Sequence, residues 1–371
     1  MRHIKKNKKS YSIIFHILVL IFIILPGSTS PLSAAVTGAC SNCHTMHDSQ
    51  NGGGVARGGS GVGWNGSGQL TGGSTQGPQS QLLITGCVGC HSSTTSSTII
   101  NFGGSKIPIV YNTVQPTTPL AGGNFYWVAQ GGEVNDTKGH NVYGISGVDA
   151  NLNKAPGGMP CLTGGCHISL AASSDTGCKG CHTSTAHHDD SKPWYRFLLS
   201  DHSEDESHVL KTNVKPSGAP GEYISNEDPD WEYTKSATDH NYYQGQTGPF
   251  FSEGISYMHS ITAFCYGCHR TFHVITNEFF TSPWLRHPIG ILLPDSGEYA
   301  GYDPVSNYST EAPVAWTNPA SPSRATAVVM CLSCHRAHGS DQPDMLRWDY
   351  STMIVGGGGT GGCFTCHTTK K

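Results

Sequence analysis

The hydrophobic positions of this chain fall in short, isolated runs that long polar stretches separate. Beyond the apolar run Ile13–Leu25, the clearest examples are Ile99–Ile100 with Ile107–Val110, and Trp194–Leu199. The first pair is rich in β-branched residues and predicts a short strand or a hairpin. Trp194–Leu199 predicts a short helix or strand. Residues 51–80 are rich in Gly, Ser, Asn and Gln without periodicity, which predicts an extended surface loop.

The first 35 residues have the organisation of an export signal. Five basic residues precede an apolar run of 13 residues, and Ser33-Ala34-Ala35 offers a small-residue cleavage site. Because a membrane-spanning helix needs about 20 residues, we expect a cleaved signal peptide over 1–35 and no retained membrane span. The mature protein would be exported to the periplasm, the cell surface or the extracellular space. Cleavage leaves 17 basic residues against 26 acidic ones, a net charge of −9 that disfavours nucleic acid as a partner.

Fourteen cysteines occur as seven pairs, and a histidine follows each pair immediately. Six pairs have two intervening residues, whereas Cys161 and Cys166 have four. In the attachment motif of a c-type haem, the two thiols add to the haem vinyl groups and the histidine binds the iron. A disulfide framework or a set of zinc sites would also use many cysteines, but neither explains the adjacent histidine.

The chain is therefore expected to bind seven covalent c-type haems. Thioether bonds are expected from Cys40, Cys43, Cys87, Cys90, Cys161, Cys166, Cys178, Cys181, Cys265, Cys268, Cys331, Cys334, Cys363 and Cys366. The proximal iron ligands would be His44, His91, His167, His182, His269, His335 and His367.

The composition indicates that these cofactors take the place of an ordinary core. Only 36% of the residues are hydrophobic, and 47 are glycine and 21 proline, which leaves little apolar surface to offset the conformational entropy lost on folding. Cys178 follows His167 by eleven positions, so two haems would lie almost side by side. We expect a multihaem cytochrome c fold: loop-rich and low in secondary structure, with short helices after the haem sites, a few short strands, and the haem stack as core.

The histidine count allows every iron a second, distal imidazole ligand. Two of the 20 histidines lie in the signal and seven are proximal, which leaves eleven for seven distal positions. An iron with two histidine ligands has no open position for a substrate, so we expect an electron carrier with low reduction potentials and no catalytic residues. The seven distal ligands are expected among His47, His140, His187, His188, His240, His259, His273, His287 and His338.

Two local spacings refine this expectation. His47 and His338 each follow a proximal histidine by three positions, so they lie on the same side of a helical turn and would serve a neighbouring haem. The adjacent His187 and His188 point to opposite sides of an extended segment and would bind two different haems.

A polar segment rich in Pro, Gly and Asp divides the chain. It predicts a boundary near residues 215–235, between a four-haem region over 36–214 and a three-haem region over 215–371. One continuous module is the alternative.

These motifs resemble the multihaem c-type cytochromes with doubled CXXCH motifs of metal-reducing bacteria. The resemblance is carried by the CxxCHxxH and CxxCH sites, the CX4CH variant, and the phrases LAGGNFYWV, GHNVYG, SPWLRHP and MCLSCHRAHGS. It implies an outer-surface, extracellular or periplasmic electron carrier whose partners are other redox proteins and an external acceptor such as a metal oxide. Some similar cytochromes form filaments in which a histidine of one subunit ligates a haem of the next. Seven sites distinguish this chain from the best-known filament formers.

A multihaem oxidoreductase with one open haem is the alternative function. Enzymes that convert nitrite or hydroxylamine resemble the chain in haem density. Nitrite reductases of this kind often bind their active haem through a CxxCK motif, which does not occur here. Enzymatic activity would therefore need one haem that lacks a distal histidine.

Overall fold

One-turn helices coincide with the cysteine pairs. The computed structural model describes residues 36, 38–58, 61–72, 75–152, 155–156, 169–172, 177–182, 187–188, 225–247, 260–266, 268–269 and 287–371. Its α-helices in these ranges are α1 (Cys87–Cys90), α2 (Glu133–Asp136), α3 (Ile261–Tyr266) and α4 (Cys363–Cys366). Its 3-10 helices are Cys40–Asn42, Ser80–Leu82, Val128–Gln130, Cys178–Gly180, Gly297–Tyr299, Arg324–Thr326, Cys331–Ser333, Pro343–Met345 and Tyr350–Thr352.

The fold is loop-rich, as the sequence predicts. At the six described attachment motifs the helical turn lies on or overlaps the cysteines rather than following them, because the backbone N–H of the motif histidine donates to the carbonyl of the first cysteine, four residues earlier. A turn of this kind needs no apolar face of its own, since its side chains serve the cofactor.

Short ladders hold the N-terminal part together. β6 (Ile99–Phe102) and β7 (Ser105–Pro108) form the antiparallel hairpin that the β-branched run predicts. Its turn is Gly103-Gly104, with φ of 59° and 92°, the positive values that a tight hairpin turn requires. Parallel pairing joins β5 (Ser92–Ser93) to β8 (Tyr111–Asn112).

Residues 51–80 are more ordered than the predicted extended loop. β1 (Ser49–Gln50) pairs with β2 (Gly53–Gly54), and β3 (Arg57–Gly58) pairs with β4 (Thr75–Gln76). These ladders are two residues long on each side, too short to leave an alternating hydrophobic pattern in the sequence.

A five-stranded sheet organises the C-terminal part. The strands are β9 (Ser225–Asn226), β10 (Tyr242–Gln244), β11 (Ile291–Leu292), β12 (Ala315–Trp316) and β13 (Ala327–Val329). Their order in the sheet is β11-β13-β12-β10-β9. β10 and β12 are parallel, and the other neighbours are antiparallel.

Alternate residues of this sheet enter two different hydrophobic clusters. On one face, Tyr243, Ala315 and Val328 pack with Met330 and with groups that include Phe264 and Leu332, which flank two cysteine motifs. On the other face, the cluster contains Trp316 and Ala327 and reaches Tyr299 and Cys366. Because side chains alternate across a strand, the sheet fixes the motifs that begin at Cys265 and Cys331 against one face and the last motif against the other.

Residues 36–371 form one compact unit. The element expected at 194–199 lies outside the described residues, and the division near 215–235 stays a prediction. Within the described ranges, no helix has the length and apolar character needed to cross a membrane.

Trp64 anchors the glycine-rich segment to the second cysteine motif. Its side chain is 1% exposed and its ring centroid lies 4.8 Å from that of Phe102. The indole Nε1–H donates to the Cys90 carbonyl at 2.8 Å, and the Trp64 backbone N–H donates to the Ser92 carbonyl at 2.9 Å. This single aromatic residue therefore fixes the loop on both sides of His91.

We predict that Trp64→Ala lowers the free energy of unfolding by about 3–5 kcal/mol, because the substitution empties a buried aromatic site and leaves the Cys90 carbonyl without its indole donor. Chemical denaturation of the haem-loaded protein measures this loss. Tyr350→Ala is the control, since Tyr350 is 70% exposed, and a change there should stay within about 0.5 kcal/mol. Equal stability of the two variants would refute the anchoring role.

Candidate haem centres

Six cysteine motifs lie within the described residues, and all six have the same local geometry. The N–H of the motif histidine donates to the carbonyl of the first cysteine at 2.8–3.1 Å. Residues three and four apart in such a turn share one side, so two thiols and one imidazole project together. No disulfide joins the twelve cysteines described. Cys161, Cys166 and His167 lie outside the described residues, and their site stays a prediction.

Backbone carbonyls set the tautomer of most motif histidines. Nδ1 lies 2.7–2.9 Å from a carbonyl oxygen in His44, His91, His269 and His335. A carbonyl only accepts, so Nδ1 carries the proton and Nε2 keeps its lone pair for a metal. The acceptors are Gln81, Pro108, Pro156 and Asp344 respectively.

Five motif histidines each face a second histidine from elsewhere in the chain. The ring centroids are 6.1–6.2 Å apart in every pair, whereas the angle between the ring planes varies from 19° to 84°. The pairs are His44 with His188, His91 with His187, His269 with His140, His182 with His338, and His367 with His287.

This constant separation fits one iron between the two rings. A metal–imidazole bond is about 2 Å long and the ring centroid lies about 1.2 Å behind the nitrogen, which places two ligand rings about 6.3 Å apart. Direct aromatic contact imposes no fixed distance; His240, for comparison, stacks on Tyr308 at 3.5 Å. A shared atom explains why distance stays fixed while ring angle does not.

Burial keeps several of these imidazoles neutral, as iron ligands must be. It lowers the pKa of His91 to about 4 and that of His338 to about 3, and it also lowers the pKa of His140 and His287. A neutral imidazole offers a lone pair without first losing a proton. The described residues thus fit two-histidine haem ligation in donor type, spacing and charge state.

Two of the segments between the motifs hold candidate distal histidines in place. In the segment 120–128, the Gly122 carbonyl accepts from the His338 N–H at 2.7 Å, and Phe125 lies 4.9 Å from the His338 ring. In the segment 138–144, His140 Nδ1 lies 2.6 Å from the Ala337 carbonyl. These two segments wrap residues 336–340 and hold His140 and His338 beside each other.

The sites of His44 and His335 are built by the same clasp. After each histidine, the chain returns through two consecutive left-handed residues, Gln81-Leu82 in one site and Asp344-Met345 in the other. The first left-handed residue supplies the carbonyl that meets Nδ1, and the second accepts a bond from the N–H after the histidine.

The clasp closes identically in the two sites. Ile84 N–H donates to the Cys43 carbonyl, and Arg347 N–H donates to the Cys334 carbonyl, both at 2.8 Å. Both sites also carry a further histidine three positions on, His47 in the first and His338 in the second. They are therefore structural repeats, although the segment between the motif histidine and the clasp is much longer in the first site than in the second.

The remaining distal candidates lie apart from these pairs. His240 is buried between Tyr308 and Tyr242, and His47 is exposed. His335 is half-buried, and no described histidine ring pairs with it. His259 and His273 lie outside the described residues.

Cysteine thiols of different motifs lie next to one another. The Cys178 thiol hydrogen bonds to Cys87 and lowers the pKa of Cys87 to about 6, while the same bond raises the pKa of Cys178. Cys265 and Cys331 are hydrogen-bonded in the same way. Each of these bonds joins two motifs that are distant in sequence.

Weaker electrostatic contacts complete the order. Burial is the main cause of the raised pKa of Cys90, Cys181 and Cys334, each to about 12. The neighbouring thiols that add to these shifts are Cys43 for Cys90, Cys268 for Cys181, and Cys363 with Cys366 for Cys334. Neighbouring thiols thus link the six described motifs in the order of their histidines, His44, His91, His182, His269, His335 and His367.

Residues 324–371, which contain the last two motifs, match the family model described as the doubled CXXCH motif. This match assigns the cysteine and histidine residues of these two motifs to covalent haem. The protein is a multihaem c-type cytochrome. It therefore binds c-type haems through its motif cysteines, and electron transfer is its chemistry.

Other comparisons place this cytochrome among remote relatives. No curated protein matches it. It is similar to the outer membrane cytochrome S filament from Geobacter sulfurreducens at 19% identity, over 87% of this chain and 86% of that one, with a TM-score of 0.45. The OmcS nanowires from Geobacter sulfurreducens, solved by cryo-EM, are similar at 18% identity, over 91% of each chain, with a TM-score of 0.45.

Three positioning residues of this cytochrome escape sequence reasoning. Arg347 is buried and donates from its guanidinium to the carbonyls of Leu332, His335 and Thr310. Gly122 packs against His338, and Glu298 meets His367. None belongs to a recognisable motif; Arg347 alone could have been suspected, as an arginine between the last two cysteine pairs.

We predict that Gly122→Ala disturbs a single haem. A Cβ at this position would lie 3.0 Å from His338 Nδ1 and 3.1 Å from Cε1, so the imidazole has to move. Overpacking costs about 1–3 kcal/mol, and the bond from His338 to its iron should weaken. Electron paramagnetic resonance should show a high-spin fraction confined to one haem.

Gly147→Ala is the matched control, because a Cβ there meets nothing within 4 Å. Its spectrum and stability should equal those of the native protein. If Gly122→Ala behaves like this control, Gly122 does not position His338.

Proposed function

We propose that this cytochrome moves electrons by hopping along a row of seven closely packed c-type haems, nearly all ligated by two histidines. The five histidine pairs at 6.1–6.2 Å are the observation that carries the proposal. Seven attachment motifs support the haem number, with the motif of Cys161, Cys166 and His167 as the seventh.

The distal ligands follow from the pairs. His188 serves the haem of His44, His187 that of His91, and the adjacent pair thus binds two different haems. In the same way His140, His338 and His287 serve the haems of His269, His182 and His367.

The thiol contacts support an unbroken row. Cysteines of different motifs lie beside each other, Cys87 with Cys178 and Cys265 with Cys331, so the haems that they would hold are neighbours. The row runs from the haem of His44 to that of His367. An electron entering at one end can reach the other by short steps within one chain.

Two-histidine ligation favours a carrier over an enzyme, since both axial positions are closed. One observation keeps the oxidoreductase as the second candidate. Of the six described motif histidines, only His335 has no partner histidine among the described residues, so its haem could bind a substrate if no other residue supplies the sixth ligand.

The repeat of the clasp suggests which ligand arrives. In the site of His335, the histidine three positions on, His338, faces His182 of a neighbouring motif at 6.2 Å. In the equivalent site of His44, His47 projects into solvent. We infer that His47 of one copy binds the haem of His335 in a second copy, which would extend the row from chain to chain as a filament.

The surroundings of His47 fit a contact between copies. Met46 is 79% exposed and Leu82 in the adjoining clasp is 56% exposed, so two apolar side chains flank the histidine. Exposed apolar groups at one end of a molecule favour burial against a partner. Other copies, other redox proteins and an external acceptor such as a metal oxide are the proposed partners.

The proposed location is extracellular or periplasmic. The basic and apolar N-terminal segment, the small-residue cleavage site and the chemistry of haem attachment support export. The acidic mature chain also fits an exported carrier that binds no nucleic acid.

We predict that His47→Ala abolishes polymers and leaves one high-spin haem, because the iron of His335 loses its sixth ligand. Electron microscopy of purified material measures polymer length, and resonance spectra count high-spin haems. His338→Ala is the matched control at the equivalent position: it should free the iron of His182 within each chain while polymers persist.

The competing outcomes are distinct. If native protein diluted to monomers keeps every haem low-spin, a histidine of the same chain, such as His259 or His273, ligates the iron and the filament proposal fails. Intact mass tests the haem number separately, with seven haems expected per mature chain and six if the motif of Cys161 is not loaded.

A further inference from the structure

The last haem site differs from the others in the group that meets its proximal histidine. His367 Nδ1 lies 3.1 Å from the Glu298 carboxylate oxygen Oε1. The corresponding acceptors in the sites of His44, His91, His269 and His335 are neutral backbone carbonyls. The C-terminal site therefore places a full negative charge where these four place a dipole.

Glu298 is held rigidly in this position. Its backbone carbonyl accepts from the N–H of Thr368 at 2.8 Å and from the Thr368 hydroxyl at 2.7 Å. Its second carboxylate oxygen lies 3.3 Å from Lys370 Nζ. Thr368 and Lys370 follow His367 closely in the chain, so these contacts fix the carboxylate of Glu298 relative to the imidazole of His367.

A carboxylate that accepts the Nδ1 proton bond raises the basicity of Nε2. A more basic ligand gives more electron density to the iron and stabilises the oxidised state, which carries one more positive charge. The carboxylate charge acts in the same direction through Coulomb attraction, because only the imidazole ring of His367 would separate it from the iron.

We infer that Glu298 is a positioning residue that lowers the reduction potential of the haem of His367 below that of the four haems whose motif histidine meets a backbone carbonyl. The inference rests on the proposed function in that the site carries a haem within a row. An electron on this haem is then donated more readily to a partner. Return of the electron from the partner to this haem is slowed.

Glu298→Gln tests this in the full-length, haem-loaded protein. Glutamine keeps the size of the side chain and an acceptor oxygen but removes the charge. At a fixed solution potential, the ratio of reduced to oxidised haem at this site should rise about tenfold, which is 59 mV for a one-electron couple. The potentials of the haems elsewhere should stay unchanged.

Spectroscopy identifies the haem that shifts. The rings of His287 and His367 are 84° apart, the most nearly perpendicular of the five pairs. Perpendicular ligand planes give a low-spin ferric haem with an unusually large highest g-value. This signal should be the one that titrates at a more positive potential in the variant.

Two further variants make the test sharp. Lys370→Gln removes the cation beside Glu298 and should shift the same haem in the opposite direction, to a lower potential. Glu311→Gln is the matched control, because Glu311 is also ion-paired, with Lys235 and Arg336, yet it contacts no histidine. Its potentials should equal those of the native protein.

Unchanged potentials in Glu298→Gln, with full haem load by intact mass, would overturn the inference and leave the proposed function standing. A native protein without haem on residues 363–367 would instead contradict the proposed function. A shift spread evenly over all haems would also overturn the inference, since it would reflect net charge rather than the His367 contact.

Discussion

Pairs of imidazole rings held at one fixed separation are the constraint on which this structure depends. Five such pairs have the same separation, 6.1–6.2 Å, although their partners come from segments as distant as His140 and His269. Every loop that carries a distal histidine must therefore end at a fixed point opposite a motif. With so few apolar residues available, these fixed points do much of what a continuous hydrophobic core does in other proteins.

The protein part supplies local rigidity where the ligands need it. One-turn helices present thiols and imidazole together, left-handed clasps at Gln81 and Asp344 set the ring tautomer, and the five-stranded sheet separates two sets of motifs. Beside the expected haem stack, Trp64, Trp316 and the sheet clusters are buried in their own right. Haem and side chains share the interior.

The sequence predicts the chemistry better than the architecture. Adjacent cysteine and histidine residues define a haem site locally, so the motifs, the loop-rich character and the 99–108 hairpin could all be predicted. The partner of each iron could not, because it depends on contacts such as Gly122 with His338 that have no periodic signature. The sequence predicted His140 and His240 as distal candidates from similar phrases. His140 faces His269, whereas His240 stacks on Tyr308 and faces no motif histidine among the described residues. The charged neighbour of His367 could not be predicted either, since Glu298 lies 69 residues earlier, in the 3-10 helix Gly297–Tyr299.

An experimental structure of the haem-loaded protein tests the central claim most directly, through the bonds between iron and imidazole nitrogen. The account predicts iron bonded to Nε2 of both histidines in each of the five pairs, at about 2 Å. An iron that takes its second ligand from outside its pair, for example one bound to His91 but not to His187, would contradict it.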